Sequence, residues 1–132
     1  MPCVVGLPGS RLEVNKCNFK GDTVNESDCT GILGMNSDCF IRNSTLAYFK
    51  CGGIMVQALP QNQIYIADNT VLSCRTNGLY IQGRASRATV RGNKIAFCHS
   101  TAILISLDVE CNVSCKILFL YALFVVRYTE MS

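Results

Sequence analysis

Apolar and polar residues alternate in short bursts along most of this chain, as at Ile64/Ile66, Leu79/Ile81, Ile95/Phe97 and Ile103/Ile105. A period of two marks a strand with one buried face, and no stretch before residue 115 carries a helical period. The bursts themselves recur. Ile66 falls on Val90, Asn69 on Asn93, Val71 on Ile95, Cys74 on Cys98, Gly78 on Ala102, Leu79 on Ile103 and Ile81 on Ile105, each pair 24 residues apart. A fixed period of this length marks a solenoid, in which each unit buries its apolar face against its neighbours.

The pattern runs on in both directions. Ile41, Leu46, Phe49, Gly53, Ile54 and Val56 take the places of Ile66, Val71, Cys74, Gly78, Leu79 and Ile81 at an offset of 25. Val14 and Phe19 match Ile41 and Leu46 at an offset of 27, and Gly31-Ile32-Leu33-Gly34 closes that coil after a polar excursion from Lys20 to Thr30. The spacing from Val5 to Val14 equals that from Ile81 to Val90, which puts Val5 in the place of Ile81. Downstream, Val113, Leu118, Val126 and Tyr128 are expected opposite Val90, Ile95, Ile103 and Ile105.

Each unit therefore predicts about three short strands separated by Gly, Asn, Ser or Pro turns. Strands that recur at one offset stack parallel and in register, about 4.8 Å per coil. A hairpin arrangement would need matching turns, yet the one Asn-Gly dipeptide, Asn77-Gly78, has Thr101-Ala102 as its counterpart. The expected fold is all-β, a right-handed parallel β-helix of four to five coils over residues 3–113. Residues 114–132 follow as an apolar last coil or capping tail. The chain enters at the close of a coil, at Pro2-Cys-Val-Val, and is read as a fragment of a longer solenoid.

Asn69 and Asn93 are expected just after a strand, in the left-handed conformation and bonded to neighbouring amides along the stack. Cys74 and Cys98, above Phe49, are expected to face the interior and to pack as small hydrophobes. Gly53 and Gly78 are expected to open a closing strand at a tight corner.

Composition narrows the class. With 49% hydrophobic and 16% charged residues the chain suits a continuous apolar interior. A net charge of +3 without a Lys/Arg-rich run gives no footprint for nucleic acid. The apolar run Ile117–Val126 is half of what spans a bilayer, so a membrane partner is not expected. Nine cysteines cannot all pair internally, and the N-terminus has no secretory pattern. Reduced thiols and a cytoplasmic or nuclear location are the default. The sequons at Asn25, Asn43 and Asn112 are the features that speak for a secretory route.

The motif Ile/Val-x-x-Asn-x-Ile/Val-x-x-Cys-x-x-x-Gly/Ala-Ile/Leu-x-Ile, at 66–81 and 90–105, resembles the right-handed β-helix repeats of the pectate-lyase-like superfamily. It is most similar to the non-catalytic eukaryotic versions in F-box β-helix proteins and Shc-binding proteins. For the enzymes of that superfamily the resemblance implies lyase, hydrolase or epimerase action on a polysaccharide through paired acids, often with Ca²⁺. That set does not assemble here, because the acids of the repeats are scattered and Asp22, Glu26, Asp28 and Asp38 gather in and after the polar excursion. No catalytic residue, metal site or cofactor is assigned.

Two outward columns remain. Lys50, Arg75 and His99 follow the turn position of Phe49, Cys74 and Cys98 and would stack along one edge, suited to an acidic partner. Leu33, Met55, Tyr80 and Leu104 lie between inward residues of the closing strand and so point outward, a candidate protein-binding face. The expected function is a non-catalytic scaffold or protein-interaction module whose partner is another protein. The alternative is a fragment of a carbohydrate-active enzyme.

Overall fold

The computed structural model describes residues 2–21, 30–83, 87–98, 101–105, 111–118 and 125–127. The first coil runs through β1 (Val4–Gly6), β2 (Arg11–Asn15) and β3 (Asn18–Lys20), and the second through β4 (Thr30–Met35), β5 (Asp38–Arg42) and β6 (Thr45–Ala47). Then come β7 (Gly52–Ala58), β8 (Gln63–Ala67) and β9 (Thr70–Leu72), followed by β10 (Asn77–Gly83) and a long β11 (Arg87–Ala96) that fills two strand positions. The last described strands are β12 (Thr101–Ile105), β13 (Cys111–Leu118) and β14 (Val125–Arg127). Among the described residues no helix is long and apolar enough to cross a membrane.

All pairing is parallel. Closing strands stack in the order β1-β4-β7-β10-β12-β14, and opening strands in the order β2-β5-β8-β11. Middle strands β3, β6 and β9 lead to the second half of β11, and β13 pairs with both halves of β11 between Ala88 and Ala96. Ile95 sits on Val71, Val71 on Leu46 and Leu46 on Phe19, which is the ladder the repeat requires. The interior is a set of such columns, with Ile32, Ile54, Leu79 and Ile103 in one and Ile41, Ile66 and Val90 in another, all buried.

The corners are made by backbone conformation. Lys16, Asn43 and Asp68 have φ of 55°, 52° and 57°, and Gly92 continues their column at 65°. Tyr48, Ser73 and Phe97 form a second left-handed column at 66°, 53° and 59°. A side chain in this region costs about 1–2 kcal/mol. The bend keeps each N–H pointed at the next coil: Asp68 N donates to Arg91 O at 3.1 Å and Ser73 N to Ala96 O at 3.0 Å. The left-handed residue is thus Asp68, one before the Asn69 expected to hold it, and Gly92 likewise precedes Asn93.

Freed of that duty, the asparagines turn inward. Asn69 Oδ1 accepts Ser44 N at 3.0 Å, and Asn93 Oδ1 accepts Asn69 N at 3.0 Å. One coil back, Ser44 Oγ accepts Cys17 N at 3.2 Å. Each rung thus satisfies an N–H of the rung before it. The amide nitrogens bond along the axis as well: Asn69 Nδ2 donates to Ile41 O and to Asn93 Oδ1, both at 3.0 Å, and Asn93 Nδ2 donates to Ile66 O at 3.0 Å.

Three placements differ from the sequence reading. Val5 pairs with Leu33, whereas Gly6 pairs with Gly34 in the column of Val56 and Ile81. The cause is a tight turn, with Ser10 N donating to Leu7 O at 3.1 Å and Gly9 at φ 78°, one residue shorter than the turn after Ile81. A one-residue shift turns every side chain to the other face, and Val5 is 40% exposed. Further on, Ile95 pairs with Ile117 and Leu118 falls on Ala96, while Ile103 pairs with Val125 and Val126 falls on Leu104. One event accounts for both: the register shifts between Arg91 and Asn93, where β13 has no residue opposite Gly92. Tyr128 lies outside the described residues. The third case is Gly53, which has no positive φ. It is needed for room, since a Cβ there would lie 2.6 Å from Val71 Cγ1 and 2.9 Å from Gly78 O.

Candidate binding faces

Alternation in the closing strands sends Ile32, Ile54 and Leu79 inward and leaves Leu33, Met55 and Tyr80 half-buried on the outside. They stack in register as Val5-Leu33-Met55-Tyr80, and Leu104 and Val126 continue the column. Beside it runs Met35-Gln57-Gln82. A shallow groove of about 140 Å³ lies between the columns, lined by Leu33, Met55, Gln57, Tyr80 and Gln82. Strands β1, β4, β7, β10 and β12 contain no Asp, Glu, Lys, Arg or His. Over these five strands the face is uncharged, an apolar column beside one that carries exposed amides.

The cationic edge is placed in part. Lys50 is half-buried and Arg75 exposed on adjacent coils. Their loops are tied together by Arg75 N donating to Phe49 O at 2.9 Å and Thr76 Oγ1 donating to Lys50 O at 3.1 Å. His99 lies outside the described residues. Next to this edge are the left-handed Tyr48 and Phe97, 45% and 47% exposed, with the Lys20 ammonium 5.8 Å from the Tyr48 ring centre.

A third face went unnoticed in the sequence. On the opening strands Phe40 pairs with Tyr65 and Tyr65 with Thr89. The Arg11 guanidinium lies 4.2 Å from the Phe40 ring centre and that of Arg91 5.5 Å from the Tyr65 ring centre. Arg91 Nε also donates to Tyr65 Oη at 3.0 Å. Beside the rings is a groove of about 340 Å³ walled by Gln61, Asn62 and Gln63. Asp38 holds two of these wall residues, accepting Asn62 Nδ2 at 3.3 Å and Gln63 N at 2.9 Å. The signal was available: Tyr65 stands between inward Ile64 and Ile66, with Phe40 25 residues earlier.

Both carboxylates on this face have partners. Asp38 is held by two donors, and Glu13 pairs with Arg11 at 3.1 Å. Among the described residues no group of three or more His, Cys, Asp and Glu is positioned to hold a metal ion. Asp22, Glu26 and Asp28 lie outside them.

Cys39, Cys74 and Cys98 are free and buried, and Cys17 is free and exposed. Cys51, by contrast with the reduced state expected, is disulfide-bonded. Cys74 and Cys98 stack above Phe49 as expected, and all three are fully buried. The hydrogen bond with Cys98, then burial, pushes the Cys74 thiol up. The hydrogen bond with Cys74 draws the Cys98 thiol down, against the opposing effect of burial.

Parallel strands in register, three to a coil, with an asparagine ladder inside one corner, are the geometry of a β-solenoid. Residues 3–117 match the family model of the right-handed β-helix region. The chain belongs to the right-handed β-helix family. No curated protein and no solved structure matches it. Within this right-handed β-helix the most regular residues are those that stack, which leaves the outward columns as the surfaces available for function.

Proposed function

We propose that this right-handed β-helix is a non-catalytic protein-interaction module whose closing-strand face receives a protein partner. One observation carries the reading: the register column Val5-Leu33-Met55-Tyr80, half-buried to exposed, on strands without a single charge. An aligned apolar surface of this kind is characteristic of protein association, and Tyr and Met are enriched at such interfaces. The test compares proteins co-purified with the wild type, with the double variant Met55→Asp/Tyr80→Asp, and with a control altered on the opposite face, Arg42→Glu. Association lost in the first variant and kept in the second supports the reading. Association indifferent to both, or cleavage of a polyuronate by the purified chain, overturns it.

The Phe40–Tyr65 groove favours a second reading, a carbohydrate-binding surface. Half-buried rings such as Phe40 and Tyr65 can stack on sugar faces, and side-chain amides satisfy hydroxyl groups. Glycan binding abolished by Tyr65→Ala and unaffected by Met55→Asp would select it.

A further inference from the structure

We propose that the occupant of the closing-strand face is a second copy of this chain, related by a two-fold axis that packs the two sheets face to face. The inference rests on the protein-binding reading of that face and names its partner. Three properties favour self-association. The face has no ionisable Asp, Glu, Lys, Arg or His on five successive strands. The net charge of +3 would set two copies against each other, but Arg11, Lys20, Arg42, Arg91 and Lys94 are exposed on the opening and middle strands, and Arg127 of β14, the one described cation on a closing strand, falls on Ile105 and outside the Leu104–Val126 column. Two copies can therefore approach through this face without opposing like charges, whereas a charged partner would find nothing there to pair with.

The polar residues are self-complementary too. Gln57 and Gln82 are exposed in one column beside Met55 and Tyr80. A glutamine amide is both donor and acceptor, so a glutamine column can bond its own image across a two-fold axis, which a column of acids or bases cannot. The closing sheet also pairs without the register shift that interrupts the opposite sheet at Arg91 and Asn93, which leaves it regular enough for sheet-on-sheet packing.

Size sets the strength. The five uncharged strands at about 4.8 Å and five residues at about 3.3 Å give roughly 400 Å² per copy. Twice that lies under the roughly 1,200 Å² of standard stable interfaces, so the dimer is a weak, reversible one.

Sedimentation velocity of the whole chain, from micromolar to near-millimolar concentration, reads this directly. The wild type should move from 14.5 kDa toward twice that mass. Met55→Glu and Met55→Lys alone should each shift the midpoint at least tenfold to higher concentration, and an equimolar mixture of the two should recover it. Circular dichroism on each variant separates lost association from lost folding, and Arg42→Glu should leave the midpoint unchanged. A wild type that stays at 14.5 kDa throughout, or a dimer indifferent to Met55→Glu, overturns the proposal. If the isolated chain is monomeric while a different protein still binds dependent on Met55 and Tyr80, self-association is overturned and the face reading survives. If neither association occurs, both fall.

Discussion

Replacing Asn69 separates a specific inward ladder from mere burial of a polar residue. Asn69 is 1% exposed and lies between Ser44 at 2% and Asn93 at 2%. In Asn69→Ala the Ser44 N–H loses its acceptor and the Ile41 carbonyl its amide donor, both at 3.0 Å, while Asn93 Oδ1 keeps the Asn69 backbone N–H. Two orphaned buried groups at about 1–3 kcal/mol each predict a loss of about 4 kcal/mol. That is a large share of the roughly 7–20 kcal/mol expected for a domain of this length. Asn69→Asp is the sharper probe. One oxygen still serves Ser44, but the other replaces an amide that faces two acceptors, Ile41 O and Asn93 Oδ1. The buried carboxyl is then held above its unfolded value of about 3.9. A folded pKa raised in this way leaves stability in place below the unfolded pKa and removes it as pH rises through the folded one. Urea unfolding followed by circular dichroism should show the aspartate variant close to wild type at pH 4, where a protonated carboxyl can donate, and several kcal/mol weaker at pH 7. An aspartate variant equal to wild type at pH 7, or a deficit that ignores pH, refutes the ladder.

Other outcomes follow from the corners and the interior. Gly53→Ala should destabilise by several kcal/mol, because its Cβ meets Val71 and the Gly78 carbonyl oxygen at 2.6 and 2.9 Å. Gly9→Ala, with φ 78° and nothing within 4 Å, should lose only about 1 kcal/mol; equal losses in thermal unfolding would refute the distinction. Ser44→Asn extends the amide ladder one coil back and should raise stability by about 1 kcal/mol, read as a rise in Tm of a few degrees; a fall would show that the site has no room for the amide. Burial, opposed by Ser37 and aided by Asp38, raises the Cys39 thiol from 9.0. Its contribution is therefore intact below pH 9 and declines above it by about 1.4 kcal/mol per unit, so the stability gap between wild type and Cys39→Ala should narrow between pH 9 and pH 10. A gap independent of pH would show that Cys39 is not held neutral.

The stacked interior was legible because parallel coils oblige inward residues to recur at one offset, and Ile66/Val90, Val71/Ile95 and Leu79/Ile103 do so. The corners were less legible. Their requirement falls on the backbone, and the side chains point to solvent, so residues as unlike as Lys16, Asn43, Asp68 and Gly92 satisfy one left-handed column. Register at the ends was ambiguous for a related reason. Val4 and Val5 are both apolar, and only the length of the Leu7–Ser10 turn decides which of them faces inward. Of the surfaces, the Leu33-Met55-Tyr80 column followed from alternation within strands. The Lys50 edge sits in loops, where alternation says nothing.

The neutrality of the closing-strand face has a competing explanation in folding alone. Outward residues of a β-helix stack on their own counterparts about 4.8 Å away, and a column of like charges repels itself. Avoiding that penalty would suffice to exclude charge. The opposite sheet shows that exclusion is unnecessary, because it interleaves charge with rings: Arg11 lies over Phe40, and Arg91 over Tyr65. A single cation on the closing face meets even less opposition. Gln57 is exposed, and its register partners are Met35 and Gln82, both uncharged. Gln57→Lys should therefore change stability by no more than about 0.5 kcal/mol. Across a two-fold axis, however, the introduced lysine opposes its own copy, and association should weaken at least tenfold. If unfolding and sedimentation of this one variant show unchanged stability with unchanged association, neutrality serves neither purpose and the binding role of the face is lost. If stability falls by several kcal/mol, neutrality is a folding requirement. Only intact stability combined with lost association assigns the uncharged face to binding.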